Sequence, residues 1–378
     1  MAGSSRDQQH MARALELAVR GQGGVEPNPM VGCVIVAGGQ VVGEGWHGRF
    51  GGPHAEREAL DQAGPAAAGA TMYVTLEPCC HHGKTPPCTE AILQSGIRRV
   101  VVAHRDPFPR VDGGGIAQLQ AAGVEVEVGL LEAESRWGNA PYLKLLGQGR
   151  PWIIAKWAMT LDGKLAARSG DSRWISGPAS RQRVHQLRSR MDAILVGAGT
   201  ARADDPRLTV RPPGPRTPVR IVLDSQAALP LDSHLVRTAR EAPVLIAAGP
   251  DATQQRCQAL QQRGCEVWIG QARAREQRLG ELLDELGRRR MTNVLVEGGA
   301  QVLGALFDAG MIDEVHGFVA AKLIGGASAV SPLAGVGLCQ MQQAVPLQHP
   351  VIEILDGDVY VHGRLNPMNE SLLKRRHP

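Results

Sequence analysis

Hydrophobic and polar residues alternate along the first 145 positions with the two periods that distinguish helices from strands. Met11, Ala14, Leu15 and Ala18 are spaced as one face of a helix, and Asp7 stands where it can cap that helix. The other elements predicted for this block are hairpin strands at 31–37 and 40–46, strands at 71–76, 98–103 and 124–128, and helices at 54–63, 89–94 and 116–122. The pattern is typical of a mixed α/β domain.

A second alternation begins after residues 147–151, where small flexible residues followed by a proline predict a linker. The predicted strands are 152–158, 193–197, 219–223, 243–248, 265–269, 292–296, 314–320, 350–355 and 358–363, and the predicted helices are 178–190, 251–263, 275–290 and 300–309. Strands that alternate with helices favour a largely parallel α/β sheet. We therefore expect two α/β domains, at 1–147 and 150–365, followed by a basic tail at 366–378.

Composition limits the classes of function that the chain can have. The 41 basic and 37 acidic residues leave a formal net charge of +4, and aromatic residues make up 3%. Proteins that bind nucleic acid stack its bases on aromatic side chains and neutralise its phosphates with basic residues, and both values are low for such a protein. No nucleic-acid partner is therefore expected. No apolar run reaches the roughly 18 residues of a membrane span, and no signal peptide is recognisable. Seven cysteines, an odd number, predict reduced thiols, a cytoplasmic location and metal ligands where they cluster.

One group of short motifs has the ingredients of a zinc-dependent deaminase. Glu56 follows His54 by two residues, and Cys79 and Cys88 each follow a proline. Zinc prefers imidazole and thiolate ligands, and three protein ligands leave a fourth position for a water whose pKa the metal lowers. Glu56 is close enough to shuttle that water's proton. We therefore predict His54, Cys79 and Cys88 as metal ligands and Glu56 as a catalytic residue, with the adjacent Cys80 as a bystander.

The second block lacks the GxGxxG fingerprint of a Rossmann dinucleotide site. Glu297-Gly298-Gly299 instead follows a predicted strand and precedes a predicted helix. Backbone N–H groups at such a junction lie at the positive end of the helix, which suits a pyrophosphate. The junction is therefore a candidate site for a dinucleotide.

Several longer motifs make the chain resemble the bifunctional deaminase–reductase family of riboflavin biosynthesis. They are Pro27-Asn28-Pro29, His54-Ala55-Glu56, Ser172-x-Trp174 and the runs 75–88, 156–164, 192–200 and 204–211. The eight residues between Cys79 and Cys88 are uncommon in deaminases generally and typical of this family. The resemblance extends from about residue 7 to residue 365, and it implies a cytidine-deaminase-like first domain and a second domain similar to dihydrofolate reductase.

The resemblance also implies two reactions on a pyrimidinone that carries a phosphoribosylamino group. With zinc, the 2-amino group of 2,5-diamino-6-(5-phosphoribosylamino)pyrimidin-4(3H)-one would be removed by hydrolysis. NADPH would then reduce the ribosyl group to a ribityl chain. A homodimer through the second domain is implied as well. The residues alone do not separate NADPH from NADH.

Carried over position by position, the resemblance implies three further groups of site residues. Contacts to the pyrimidine substrate in the first domain would come from Asn28, His81, Lys84 and Asp106. The cofactor would contact Ala158, Trp174, Thr200, Asp204, Ser225, Gly298, Gly299, Ala300, Gln301, Val302, Leu303 and Gly304. The substrate in the second domain would contact Ser172, Arg188, Leu208, Arg211 and Glu297, with the two arginines as a clamp on its phosphate. Lys156 would lie near the reacting ribose carbon, whereas Phe108 replaces an asparagine that is usual in the family.

Two other classes of function remain open from the sequence. A nucleic-acid or tRNA base deaminase with an appended domain would use the same zinc motif, although charge and aromatic content weigh against it. A scaffolding protein would hold zinc in a structural site, but such a site has four protein ligands. Three candidate ligands beside a glutamate favour catalysis.

Overall fold

The computed structural model describes residues 5–83 and 86–365, and the chain divides into two units between Gly147 and Gln148. Lys84 and the predicted basic tail at 366–378 lie outside the described residues. Among the helices that are described, none combines the length and the apolar composition needed to cross a bilayer.

The N-terminal unit is built on a five-stranded sheet with the strand order β2-β1-β3-β4-β5. Its elements are α1 (Ser5–Val19), β1 (Gly32–Ala37), β2 (Gln40–Trp46), α2 (Ala55–Ala63), β3 (Thr71–Val74), α3 (Cys88–Ser95), β4 (Arg99–Val102), α4 (Gly114–Ala121), β5 (Glu125–Val128), α5 (Glu132–Gly138) and α6 (Ala140–Gln148). Strand β1 pairs antiparallel with β2 and β3, while β3, β4 and β5 are parallel. One face of the sheet packs on α1 and the other on α2, α3 and α4, so the unit has three layers.

The first helix differs in detail from its prediction. It begins at Ser5, so Asp7 lies in its first turn instead of capping it. The Asp7 carboxylate accepts a hydrogen bond from the Tyr73 hydroxyl at 2.5 Å and pairs with Arg99 at 3.3 Å. Leu17 is fully buried where Leu15 was expected, because the contact face is rotated towards β1 and β3. Asp7 therefore ties α1 to the sheet.

The C-terminal unit contains a nine-stranded sheet with the order β10-β9-β8-β7-β11-β6-β12-β14-β13. Its elements are β6 (Trp152–Thr160), α7 (Pro178–Arg188), β7 (Ala193–Gly197), α8 (Ala198–Asp204), β8 (Val219–Leu223), α9 (His234–Arg237), β9 (Val244–Ala248), α10 (Gln254–Gln262), β10 (Glu266–Ile269), α11 (Arg275–Arg288), β11 (Asn293–Val296), α12 (Ala300–Asp308), β12 (Glu314–Ala320), β13 (Gln348–Leu355) and β14 (Asp358–Arg364). Strands β6 to β12 run parallel to one another, whereas β14 is antiparallel to both of its neighbours, β12 and β13. The prediction of a largely parallel sheet is confirmed.

Helices cover both faces of the parallel strands. Leu279, Leu282 and Leu286 of α11 pack with α12 on one face, whereas Leu235 of α9 and Leu260 of α10 pack on the other. In open α/β sheets, ligands bind beyond the carboxyl ends of the strands. The ends of β7, β8 and β11 therefore indicate where a site should lie.

Candidate active sites

Three residues of the types that bind zinc come together beyond the carboxyl end of β3, the central strand of the N-terminal sheet. His54 directly precedes α2, Cys79 follows the end of β3, and Cys88 is the first residue of α3. His54 Nδ1 lies 3.5 Å from Cys79 Sγ and 3.3 Å from Cys88 Sγ. Tetrahedral zinc at ordinary bond lengths separates a nitrogen and a sulfur ligand by about 3.6 Å. The donor set and its spacing therefore fit a zinc ion.

Cys80 does not join this group, because its Sγ instead faces the carbonyl oxygen of Arg110 at 3.8 Å. In the part of the chain that the structure describes, the cluster around His54 has three members, His54, Cys79 and Cys88. Hydrogen bonds from Cys88 and His54 lower the pKa of Cys79 well below that of an ordinary thiol. A thiolate with two partner ligands and an open position is typical of a catalytic zinc site.

Glu56 lies beside the ligands, in the first turn of α2, and only 3% of its surface is exposed. Burial raises the pKa of its carboxyl to about 7. A carboxyl group with such a pKa can both accept and return a proton near neutral pH. The position and the environment of Glu56 fit the predicted proton shuttle.

Two of the residues predicted to contact the pyrimidine, Asn28 and His81, have different neighbours. Asn28 Nδ2 lies 3.3 Å from His47 Nε2, and the His47 ring packs edge-on against the His54 ring at 5.2 Å. The His81 ring lies 5.9 Å from the ring of Phe108. Phe108 therefore fills space beside His81 where the family usually has a polar side chain.

Asp106 is buried and held from two directions. Its Oδ1 accepts hydrogen bonds from the Phe108 backbone N–H at 3.0 Å and from the Tyr142 hydroxyl at 2.9 Å. Burial raises the pKa of Asp106 to about 6. Tyr142 was missed by the sequence analysis because it lies on α6, which was not predicted. Glu77, in the 75–88 run, was not predicted as a site residue, although its buried carboxylate accepts hydrogen bonds from four backbone N–H groups.

The C-terminal unit contains a cavity of about 1510 Å³ at the carboxyl ends of its parallel strands. The cavity is lined by Lys156 and by all the cofactor and substrate residues predicted for the second domain except Gly304. Gly304 instead lets α12 approach another segment, because a Cβ there would lie 1.7 Å from the Ala334 carbonyl oxygen. The structure thus brings predicted residues from six stretches of the sequence into one cavity: 156–158, 172–174, 188, 200–211, 225 and 297–303.

A partly buried ion-pair group lies on the wall of this cavity. Arg188, at the end of α7, donates to both carboxylate oxygens of Glu297 at 2.5 and 2.9 Å and to the Thr209 carbonyl at 3.0 Å. Lys156 Nζ lies 3.9 Å from Glu297. Burial and the charge of Arg188 lower the pKa of Lys156, whereas Arg188 and Lys156 outweigh burial and hold the pKa of Glu297 below its usual value. Arg188 was predicted as a phosphate clamp, but its present partner is Glu297.

The glycine pair that follows β11 shapes a cradle in the same cavity. Gly298 and Gly299 have φ angles of 146° and 85°, which favour glycine, and α12 begins at Ala300. A Cβ on either glycine would lie 3.4 Å from a side chain, Thr200 for Gly298 and Val302 for Gly299. Backbone close to a helix N-terminus can approach a phosphate directly. The junction therefore fits the pyrophosphate of a nicotinamide dinucleotide.

Both units match known protein families. Residues 151–352 match the RibD C-terminal domain, and residues 4–104 match the cytidine and deoxycytidylate deaminase zinc-binding region. The riboflavin biosynthesis protein RibD of Actinobacillus pleuropneumoniae is 43% identical over 353 residues, which cover 93% of this chain and 94% of that protein. The chain belongs to the RibD family. The family resemblance inferred from the motifs is thereby confirmed.

Solved structures of RibD proteins are similar over nearly the whole chain. Acinetobacter baumannii RibD is 37% identical, covers 96% of this chain and 99% of its own, and has a TM-score of 0.84. The diaminohydroxyphosphoribosylaminopyrimidine deaminase/5-amino-6-(5-phosphoribosylamino)uracil reductase of Thermotoga maritima is 36% identical, with the same coverage and a TM-score of 0.81. The predicted fold class, a cytidine-deaminase-like unit and a RibD reductase unit similar to dihydrofolate reductase, is confirmed. These RibD matches do not favour the nucleic-acid deaminase alternative.

Proposed function

We propose that this RibD-family chain catalyses two successive reactions of riboflavin biosynthesis. The N-terminal unit, which we assign to residues 1–147, removes the 2-amino group of 2,5-diamino-6-(5-phosphoribosylamino)pyrimidin-4(3H)-one by hydrolysis. The C-terminal unit, which we assign to residues 150–365, uses NADPH to reduce the ribosyl group to a ribityl group. One observation carries the proposal: a RibD-family chain holds both a three-ligand histidine–cysteine site beside a buried glutamate and a cavity of about 1510 Å³ with a glycine cradle.

In the deaminase site, His54, Cys79 and Cys88 would hold zinc, which when bound supplies a Lewis acid that makes water nucleophilic near neutral pH. Glu56 accepts the two protons of the attacking water in turn, and it delivers one to the ring nitrogen and one to the departing amine. The bond from carbon to the amine breaks, ammonia leaves, and the carbon keeps the oxygen of water. Asn28, His81 and Asp106 orient the pyrimidine and ribose, and Lys84 binds the phosphate.

In the reductase site, NADPH supplies the hydride when it is bound. The backbone at Gly298 and Gly299 receives its pyrophosphate. Lys156 approaches the reacting carbon of the ribose, and Glu297 orients Lys156 from 3.9 Å away. Arg211 and the Arg188–Glu297 pair line the same cavity and position the phosphorylated chain.

Arginines that line the cavity, one of them bonded to Ser225, support NADPH over NADH as the cofactor. Arg256, Arg275 and Arg278 line the cavity, and Arg278 donates to the Ser225 hydroxyl at 2.7 Å. Arg275 donates to Gln301 at 3.1 Å. Guanidinium groups bind phosphate monoesters in two-point contacts. This end of the cavity therefore suits the 2′-phosphate that distinguishes the two cofactors.

A second copy of the chain is the partner we propose for the outer edge of the large sheet. Strand β13 is the last strand of the nine, and Ile352 and Ile354 on it are 67% and 68% exposed. An apolar edge strand that is left uncovered promotes aggregation, so proteins usually cover one. A second copy packed symmetrically over this strand would cover these isoleucines and make a homodimer.

The reduced state of the thiols supports a cytoplasmic location. All seven cysteines are free, and Cys33, Cys257 and Cys265 are buried in the hydrophobic core. Proteins that mature in oxidising compartments usually pair such cysteines.

Two variants test whether each unit has its own reaction. Glu56→Gln should abolish deamination, yet reduce externally supplied deaminated intermediate at the rate of the unaltered protein. Lys156→Met should deaminate the substrate at the normal rate but fail to reduce the deaminated intermediate. If Glu56→Gln released ammonia from the diamino substrate at the normal rate, or if Lys156→Met oxidised NADPH normally, the assignment of that reaction would be wrong.

A further inference from the structure

Glu77 lies between β3 and the zinc ligand Cys79, and its buried carboxylate is surrounded by backbone donors. Oε1 accepts the N–H groups of Gly115 at 2.9 Å and Ile116 at 3.1 Å. Oε2 accepts those of Asp106 at 3.1 Å and Gly113 at 3.0 Å. Only 4% of the residue is exposed. Hydrogen bonds to an ionised acceptor are stronger than those between neutral groups, so this is a firm anchor.

The four donors come from the segment that joins β4 to α4 and from the start of α4 itself. Two of them belong to the first turn of α4, where the helix dipole also favours a negative charge. The segment carries Asp106 and Phe108, whose ring contacts His81. One side chain therefore fixes both ends of the loop that brings these residues to the deaminase site.

The anchor also joins this loop to the turn that holds a metal ligand. The Glu77 N–H donates to the His104 carbonyl at 3.1 Å. A Cβ on Gly115 would lie 2.0 Å from the Pro78 carbonyl oxygen, so the start of α4 rests directly on the backbone beside Cys79. The loop cannot shift relative to this turn unless the hydrogen bonds to Glu77 break.

We propose that Glu77 is a positioning residue for deamination, which acts by holding the 106–113 loop against the pyrimidine. The proposal rests on the proposed function, in which Asp106 orients the substrate. Glutamine at position 77 has nearly the same volume but only one acceptor oxygen. Its amide group would present donors to two of the four backbone N–H groups, so Glu77→Gln loosens the loop without opening a cavity.

The test compares Glu77→Gln with Glu134→Gln, an exposed control on α5, in the full chain. We expect a tenfold or larger rise in KM for deamination with a smaller change in kcat, about one zinc per chain as in the unaltered protein, and reduction of supplied intermediate within twofold. Hydrogen exchange of the 104–116 peptide should accelerate at least tenfold. The control should change none of these.

The outcomes separate the possible roles of Glu77. Unchanged KM or unchanged hydrogen exchange would overturn the proposal, and so would a loss of zinc in proportion to the loss of activity, because Glu77 would then act on the metal turn. If the unaltered protein does not deaminate the substrate, the proposed function fails, whereas the exchange measurement still tests the anchor. If Glu77→Gln does not fold, Tyr142→Phe replaces it in the test, because this variant removes the hydrogen bond from the Tyr142 hydroxyl to Asp106. Tyr142→Phe should also raise the KM for deamination. An unchanged KM in this variant would refute the role of the loop.

Discussion

Two adjacent cysteines provide a sharp test of the zinc ligands. Cys79 Sγ lies 3.5 Å from His54 Nδ1, whereas Cys80 Sγ faces the Arg110 carbonyl at 3.8 Å. Serine replaces either sulfur with a smaller hydroxyl oxygen and leaves the rest of the side chain unchanged, so Cys79→Ser and Cys80→Ser are matched in sequence position and chemistry. They differ only in whether the sulfur belongs to the three-ligand cluster.

The size of the expected effect follows from the number of ligands. Zinc bound to small protein sites contributes about 10–16 kcal/mol, which over four coordination positions is roughly 3 kcal/mol for each. A loss of roughly 3 kcal/mol weakens binding by about two orders of magnitude. Cys79→Ser should therefore hold less than about a tenth of a zinc ion per chain after dialysis against a mild chelator.

Metal analysis and an ammonia-release assay on the same samples show whether Cys79, and not Cys80, is a zinc ligand. Cys79→Ser should lose zinc and deamination together, while its reductase activity on supplied intermediate stays unchanged. Cys80→Ser should keep zinc and both activities. Equal zinc loss in the two variants, or full zinc retention in Cys79→Ser, would refute the ligand assignment.

Three further predictions concern the C-terminal unit. Arg278→Ala should weaken binding of 2′,5′-ADP at least tenfold and that of 5′-ADP less than twofold in titration calorimetry, and equal losses would contradict a 2′-phosphate site. Gly304→Ala should lower the thermal midpoint by several degrees, since the added Cβ would lie 1.7 Å from the Ala334 carbonyl oxygen. The control is Gly280→Ala, where the nearest atom to the added Cβ would be 3.7 Å away; it should be neutral or stabilise α11 by up to about 1 kcal/mol. Ile352→Glu should convert a dimer to a monomer in sedimentation velocity, and an unchanged dimer would place the interface elsewhere.

Most of the fold could be predicted because the strands are short, continuous apolar runs between turn residues. Strands β7, β8 and β12 have the predicted bounds to the residue. The helices α5, α6, α8 and α9 were missed. Helix α8 follows β7 without a connecting loop, and α9 has only four residues, so neither leaves a helical period in the sequence.

The convergence of His54, Cys79 and Cys88 could be predicted since these residues belong to short local motifs. The supporting contacts could not, because they join residues far apart in sequence. Glu77 bonds to backbone N–H groups 29 to 39 positions away, and Arg188 pairs with Glu297 across 109 positions. Nearly every residue has a backbone N–H group, so the residue types do not show which of these groups bond to Glu77. In the sequence, Arg188 and Glu297 look like two unrelated surface charges. Asp7 shows the same effect, since the residue expected to cap a helix instead bonds to Tyr73 and Arg99.

The central claim is that one chain performs both reactions in order. Incubation of the purified protein with 2,5-diamino-6-(5-phosphoribosylamino)pyrimidin-4(3H)-one, with and without NADPH, tests it by mass spectrometry. Replacing an amine with an oxygen adds about one mass unit, and hydride transfer with a proton adds about two more. The account predicts the first change alone without NADPH and both changes with it. An unchanged substrate, or a gain of two mass units without the first step, would contradict it.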